Sequence, residues 1–150
     1  MASGAPLAFA LGQAIGARLS TSAFEVMMPV PMHWRRRLFR RQNTAEVIAR
    51  GILSRVTTRA VLETRAVKTS QMTQKQGTLS PKQRRQNVKN AFQVTQPKKV
   101  SGRRVLVVDD VMTTGATLHE MTRQLLRHGA SKVDIAVVCR AGAISGAREE

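Results

Sequence analysis

Two adjacent carboxylates and a threonine-rich turn are the residues of this chain whose types and spacing point to chemistry. Asp109 and Asp110 directly follow the apolar residues 105–108. The turn comes next and consists of Thr113, Thr114, Gly115, Ala116 and Thr117. A short, fully apolar run is typical of a strand buried on both faces of a parallel sheet. Ligands bind at the carboxyl edge of such sheets, so both acids are predicted to lie where a ligand would be.

The turn has the composition of an anion site. Backbone N–H groups at a helix N-terminus are unsatisfied and carry partial positive charge. Threonine hydroxyls add donors, and Gly115 lets the backbone approach a phosphate without an intervening Cβ. A ribose 5-phosphate satisfies both halves of the pattern. Its phosphate would lie in the Thr-Gly-Ala-Thr cradle, and Asp109 and Asp110 would accept hydrogen bonds from the two ring hydroxyls.

Two other phosphate-related patterns do not fit. The turn contains no lysine and its glycine spacing differs from that of a P-loop, which excludes a nucleoside triphosphatase of that type. A response-regulator receiver also begins with an apolar strand and two acids, but it needs a further aspartate at the end of a later strand. The one later aspartate, Asp134, stands at the start of a predicted strand.

The elements around the acids predict a strand–helix–strand unit. A strand over residues 105–108 is followed by a helix over 117–128 and a second buried strand over 133–138, which favours a parallel sheet. The helix has Leu118, Met121, Leu125 and Leu126 at inward-facing spacing and Gly129 as its stop. Cys139, on the second strand, is interpreted as a small buried hydrophobic residue.

The N-terminal half predicts further elements of the same kind of domain. A helix over 6–18 carries Leu7, Leu11, Ala14 and Ile15 on its expected buried face. A strand over 24–31 precedes a helix capped by Asn43, with Glu46 closing a capping box. A strand around Ala60 and Val61, a loop over 69–78 and a short helix over 81–87 complete the prediction.

Composition limits the class of protein. The 150 residues support one domain, and no apolar run approaches the roughly 18 residues that a membrane span needs. The single cysteine indicates a reducing, cytoplasmic compartment. The net charge of +16 is concentrated in residues 32–104, where 19 basic residues face two acids. A polycation of this kind indicates a polyanionic partner: nucleic acid, diphosphate groups or anionic lipid.

The segment 105–117 resembles the phosphoribosyl diphosphate signature of type I phosphoribosyltransferases. The order of other landmarks, including residues 28–33, the arginine-rich run 35–41 and Asn43, is similar to that of ComF-family proteins. The resemblance covers roughly residues 24–141. It implies an α/β fold with a phosphoribosyltransferase-like (Rossmann-like) parallel sheet flanked by helices, in a single domain over residues 1–150. Because the cysteines of that family's N-terminal zinc-ribbon segment are absent from this sequence, we expect no such segment and no zinc.

The resemblance also implies a site and a reaction. Phosphoribosyl diphosphate would bind with Mg²⁺ held mainly by substrate oxygens, and diphosphate would leave as the phosphoribosyl group is transferred to an acceptor that the sequence does not identify. The sugar is assigned to Asp109, Asp110 and the turn. Cations for the diphosphate are expected among Arg35, Arg36, Arg37, Arg65 and Lys68. The alternative is a non-catalytic protein of DNA uptake that senses the nucleotide or binds single-stranded DNA.

Overall fold

The computed structural model describes residues 4–19, 24–32, 42–57, 59–70 and 91–141. The helices in these residues are α1 (Ala5–Gly16), α2 (Thr44–Leu53) and α3 (Ala116–Arg127). The strands are β1 (Val26–Pro29), β2 (Val61–Leu62), β3 (Val67–Thr69), β4 (Phe92–Val94), β5 (Arg104–Met112) and β6 (Lys132–Arg140). A 3₁₀ turn (Pro97–Lys99) joins β4 to β5. None of the helices in these ranges is long and apolar enough to cross a membrane.

The main sheet is parallel, as predicted. Its strand order is β2-β1-β5-β6, and each neighbouring pair runs in the same direction. Helices α1 and α2 cover one face of the sheet, while α3 covers the other face together with the antiparallel pair β3–β4. The predicted fold class, an α/β sheet flanked by helices, is confirmed.

Strand β5 holds the two layers together. Val105 and Val107 pack with the α3 side of the core, whereas Leu106 and Val108 pack with the α1 and α2 side. Successive side chains of a strand point to opposite faces, so a four-residue apolar run supplies two to each layer. All four are buried, which confirms the prediction for this segment.

Helix α3 follows its predicted pattern with one exception. Leu118, Met121 and Leu125 are buried, and Gly129 ends the helical segment with a φ of +89°. Leu126 was expected inside but is 49% exposed. At 100° per residue it lies one step around the helix from Leu125, outside the stripe that contacts the sheet.

The predicted inner face of α1 is wrong at Leu7 and Leu11, whereas Ile15 packs against the core as expected. Leu7 is 67% and Leu11 37% exposed, while small residues at four-residue spacing, Ala8, Gly12 and Gly16, are buried. The physical reason is the closeness of α1 to α2. A Cβ built on Gly12 would collide with the carbonyl oxygen of Ile48, so only small residues fit between the helices.

Strand β6 was predicted to be buried, but in the described sheet it is an edge strand. Ala136 is its buried position, Ile135 is 46% exposed and Cys139 is exposed, so the expectation of a buried cysteine is also wrong. An edge strand has a neighbour on one side alone, which leaves more of its surface open to solvent. The apolar composition of a strand does not show whether it lies at the edge or in the interior of a sheet.

The pair β3–β4 was not predicted, since its three-residue strands join segments more than 20 residues apart in sequence. Strand β2 at Val61 and Leu62 confirms the strand expected there.

The cap at Asn43 is also confirmed: its side-chain oxygen accepts from the N–H of Ala45 at 3.1 Å. The capping box is not formed, because the Glu46 carboxylate pairs with Arg50 at 2.7 Å. Most of the expected loop 69–78 and the whole expected helix 81–87 lie outside the described residues.

Candidate functional site

Strand β5 carries the two acids to the carboxyl edge of the sheet. It is longer than predicted, because pairing with β6 continues past Asp109, opposite Val137, to Met112, opposite Arg140. Asp109 is paired directly, and paired residues stand on both sides of Asp110, which restricts the backbone at both acids. By strand alternation Asp109 lies on the α3 side and Asp110 on the α2 side of the sheet.

Both carboxylates are half-buried and locally held. Asp109 Oδ1 accepts from the N–H of Asp110 at 2.9 Å, and Asp110 Oδ1 accepts from the N–H of Val111 at 2.9 Å. Each bond uses one side-chain oxygen, and a carboxylate offers about four acceptor positions. Asp110 therefore retains acceptor capacity for hydroxyl groups of a ligand.

The turn after β5 is shaped by Gly115. This residue has φ +77° and ψ 0°, the left-handed region that glycine adopts without a steric cost. The hydroxyl of Thr114 accepts from the N–H of Ala116 at 3.3 Å, and α3 begins at Ala116. The nearest atom to a Cβ placed on Gly115 would be the Met112 sulfur at 3.6 Å, so the backbone conformation, not crowding, requires glycine here.

The start of α3 is receptive to an anion. Within the described residues, the backbone N–H groups of Thr117 and Leu118 donate to no protein acceptor, whereas that of His119 donates to the Gly115 carbonyl at 2.8 Å. Thr113, Thr114 and Thr117 are exposed to solvent, and Gly115 and Ala116 are half-buried. These two free amides and three accessible hydroxyls lie in the segment that directly follows β5, and together they are the donor set that a phosphate needs.

The end of β1 lies at the same edge. The N–H of Val30 donates to the carbonyl of Val108 at 2.8 Å, immediately before the acids. Asn43 binds this end through its side-chain amide, which donates to the Val30 carbonyl at 3.0 Å. The sequence identified Asn43 as a cap, but its contact with β1 spans 13 residues and has no sequence signal.

The cations expected for the diphosphate divide into two groups. Arg35, Arg36 and Arg37 lie outside the described residues. Arg65 and Lys68 are exposed at the start of the β3–β4 pair, where the Arg65 carbonyl accepts from the Thr95 hydroxyl at 3.0 Å. Neither of these side chains forms an ion pair with a described residue, so both remain available to a ligand.

Few protein groups suit a metal ion. Among the described residues there is no cluster of three or more histidine, cysteine, aspartate or glutamate side chains that could hold one. The donors beside the turn are carboxylate and hydroxyl oxygens, which are hard ligands of the kind that Mg²⁺ takes. Such a set fits an ion that receives most of its ligands from a bound substrate.

Comparison with known proteins gives the same fold. Residues 42–149 match the family described as phosphoribosyl transferase domain. The chain resembles glutamine phosphoribosylpyrophosphate amidotransferase from B. subtilis, with a TM-score of 0.59 and 20% identity over 89% of this chain and 26% of that one. It also resembles a hypoxanthine phosphoribosyltransferase from Staphylococcus aureus, with a TM-score of 0.58 and 12% identity over 95% of this chain and 70% of that one. At these identities the likeness concerns the fold alone.

Curated relatives agree with the resemblance drawn from the sequence. The DNA utilization protein YhgH of Escherichia coli strain K12 is 38% identical over 72% of this chain and 44% of its own length. Competence protein F of Haemophilus influenzae is 38% identical over 78% of this chain and 51% of its own length. The chain thus spans about half the length of the curated relatives that it matches.

Proposed function

This chain belongs to the phosphoribosyl transferase domain family, and from that premise we propose that it binds phosphoribosyl diphosphate and transfers the phosphoribosyl group with release of diphosphate. One observation carries the proposal. Asp109 and Asp110 lie within the last four residues of β5, and the turn that follows leads directly to the two free amides at the start of α3. This combination suits a phosphorylated pentose: the amides and hydroxyls of the turn take the phosphate, and the acids take the ring hydroxyls.

The reaction asks little covalent chemistry of the protein. The bond between the anomeric carbon and the diphosphate oxygen breaks, diphosphate leaves with the electron pair, and the acceptor forms a new bond to that carbon. Asp109 and Asp110 orient the ribose, and the Gly115 turn fixes the phosphate at its other end, so the anomeric carbon is held in place. Their negative charge also lies near the positive charge that develops on the sugar.

The leaving group requires positive charge, which the chain and a metal ion would share. Mg²⁺ would be held mainly by substrate oxygens and would supply positive charge at the diphosphate, and Asp109 and Asp110 are the protein carboxylates of the proposed site. Arg65 and Lys68 are the described cations assigned to the diphosphate, and Arg35, Arg36 and Arg37 follow the end of β1 in sequence. No residue is assigned as a general base, and the acceptor is left open.

The test is calorimetric titration of the Asp109→Asn/Asp110→Asn variant with phosphoribosyl diphosphate and Mg²⁺. Asparagine keeps an oxygen for the backbone N–H bonds of both positions but removes the charge. We expect the heat of binding to be lost. The matched control is Asp134→Asn, near the amino-terminal end of β6. The Asp134 carboxylate pairs with Lys132 at 3.0 Å, and this variant should bind phosphoribosyl diphosphate normally. Equal binding by the wild type and the double variant contradicts the assignment.

A second candidate function is nucleic-acid binding in DNA uptake. Two observations favour it: the relatives carry the names DNA utilization protein and competence protein, and residues 32–104 hold 19 basic side chains against two acids. Phosphate contacts dominate non-specific affinity for DNA and weaken steeply with salt. Against it, platforms for single strands usually stack bases on aromatic residues, and the chain has one tryptophan, four phenylalanines and no tyrosine.

One pair of assays separates the two functions. Diphosphate release is followed with phosphoribosyl diphosphate, Mg²⁺ and a panel of nucleobases and ammonia, while single-stranded DNA is titrated at two salt concentrations. Release without DNA binding supports the transferase. Salt-sensitive DNA binding without release supports the second candidate.

A further inference from the structure

A cavity of about 390 Å³ opens near the amino-terminal ends of the sheet strands, away from the acids. It is bounded by the start of β1, the residues 59–61 that lead into β2, the 3₁₀ turn and the start of β5. Arg104 and Asp109 stand five residues apart on β5, which separates their Cα atoms by about 16 Å at the rise of a parallel strand. A ligand in this cavity is therefore distinct from one in the cradle after β5.

The lining of the cavity is strongly cationic. Its positively charged residues are Arg59, Lys98, Lys99, Arg103 and Arg104. Two carboxylates, Glu25 and Glu63, share the cavity, so five positive charges face two negative ones and three are left uncompensated. A recess with low-dielectric walls and one excess sign of charge concentrates ligands of the opposite sign.

The carboxylates arrange the cations without using up their donors. Glu25 lies 3.3 Å from Arg103 Nη1 and 3.7 Å from Arg104 Nε, and Glu63 lies 3.5 Å from Lys99 Nζ. A guanidinium has five N–H donors, so each arginine keeps several for a second acceptor. Ion pairing holds these long side chains at the cavity before a ligand arrives, which reduces the entropy lost on binding.

Two of the positively charged side chains at the cavity, those of Arg59 and Lys98, are not paired with described protein groups. Neither Arg59 nor Lys98 has a hydrogen-bond or ion-pair partner anywhere in the ranges that the structure describes. Replacing Arg59 and Lys98 by neutral residues would therefore leave no carboxylate without its ion-pair partner. The cavity is also lined by apolar residues: Phe24 and Val26 are buried, and Val61 is 57% exposed. The cavity therefore offers both cationic and apolar surface to a ligand.

We propose that this cavity is a second ligand site, specific for a compact phosphate monoester with an apolar group, of the size of one mononucleotide. Arg59 and Lys98 bind the phosphate, and Val61 contacts the apolar group. The volume lies at the lower end of the range for small-molecule pockets, which fits one nucleotide. Among the described residues that line the cavity there is no exposed aromatic side chain on which successive bases of a strand would stack, so a single nucleotide fits better than a polymer.

The probe is adenosine 5′-monophosphate, followed by the backbone amide shifts of the isotopically labelled full chain. Because the turn after β5 is itself proposed to bind phosphate, the experiment must show where the probe binds as well as how tightly. We expect saturable shifts at residues 98–104, in the wild type and equally in the Asp109→Asn/Asp110→Asn variant. Adenosine, which lacks the phosphate, should bind this site at least about tenfold more weakly.

The decisive variant is Arg59→Gln/Lys98→Gln, and its matched control is Arg18→Gln/Arg127→Gln, which removes two exposed charges elsewhere. We expect the first to weaken the shifts at residues 98–104 by about tenfold or more and the control by less than about twofold. Equal weakening by both variants would mean diffuse attraction and would overturn the proposal. Shifts confined to residues 113–117 would overturn it as well. A ten-residue thymidine strand that shifts residues 98–104 where the monophosphate does not would assign the cavity to nucleic acid instead.

Discussion

Replacing Gly115 by alanine tests the cradle most directly, and the chain provides a matched control. Gly115 has φ +77° and Gly102 has φ +72°, and neither position would bring a new Cβ within 3.5 Å of another atom. The steric contribution is therefore close to zero at both. What remains is the cost of a left-handed conformation for an L-residue, about 1–2 kcal/mol.

We accordingly expect Gly115→Ala and Gly102→Ala to lower the free energy of unfolding by the same amount, about 1–2 kcal/mol each. Urea denaturation followed by far-ultraviolet circular dichroism measures this quantity. The two variants should differ in ligand binding. Calorimetric titration with phosphoribosyl diphosphate and Mg²⁺ should show affinity reduced by about tenfold or more for Gly115→Ala, because the altered turn displaces the N–H donors, and unchanged for Gly102→Ala.

Asparagine variants at Gly115 and Gly102 distinguish the effect of backbone strain from the effect of a side chain that blocks the approach of a phosphate. Asparagine tolerates the left-handed region better than alanine, so both asparagine variants should regain part of the lost stability. At Gly115 its side chain still occupies the space through which a phosphate approaches, and binding should remain weak. Normal binding by Gly115→Ala at the expected loss of stability would refute the cradle. A loss of stability far smaller at Gly115 than at Gly102 would refute the φ argument.

Two further predictions concern stability. Gly51→Ala should destabilise the protein by about 1–3 kcal/mol or more in the same urea assay, because the new Cβ would collide with the Phe9 carbonyl of α1. The control is Gly4→Ala, which has no atom within 4 Å of the new Cβ and should cost less than about 1 kcal/mol. Equal losses of stability in the two variants would contradict the close packing of α1 on α2. The pKa of Glu25 is lowered below its ordinary 4.5, mainly by the backbone N–H of Arg104 and then by the Arg103 side chain. A lowered folded-state pKa stabilises above the unfolded value and is lost as pH falls through the folded value. Glu25→Gln should therefore be less stable than the wild type at neutral pH, with the difference vanishing in acid, and a constant difference across pH would contradict this.

The sequence predicted the local structure of residues 105–117 better than it predicted how the surrounding elements pack. The segment from Val105 to Thr117 is local: an apolar strand, two acids and a glycine turn are contiguous, so each part restricts the next. The buried face of α1 could not be read in the same way, because it depends on how closely the Ile48 carbonyl approaches Gly12. Leu7 and Leu11 follow a helical period, but the period does not identify the partner.

The same limit explains the other differences. An apolar strand such as β6 has the composition of an interior strand, and its edge position follows from the order of the sheet. The β3–β4 pair depends on contacts between distant segments, such as Thr69 with Phe92. Asn43 illustrates both cases: its cap was evident from neighbouring residues, while its bond to Val30 was not.

The membership of β5 in both hydrophobic layers has a consequence for hydrogen exchange. Amides that open by local fluctuation exchange early, while those in the most cooperative unit exchange only when the whole molecule opens. Residues 105–108 pack with both layers, so neither layer can detach without disrupting this strand. We therefore expect the amides of residues 105–108 to be among the slowest to exchange in the described part of the chain, and a ligand of residues 109–117 would bind next to them. Its binding energy would slow exchange across both layers and not merely at the turn.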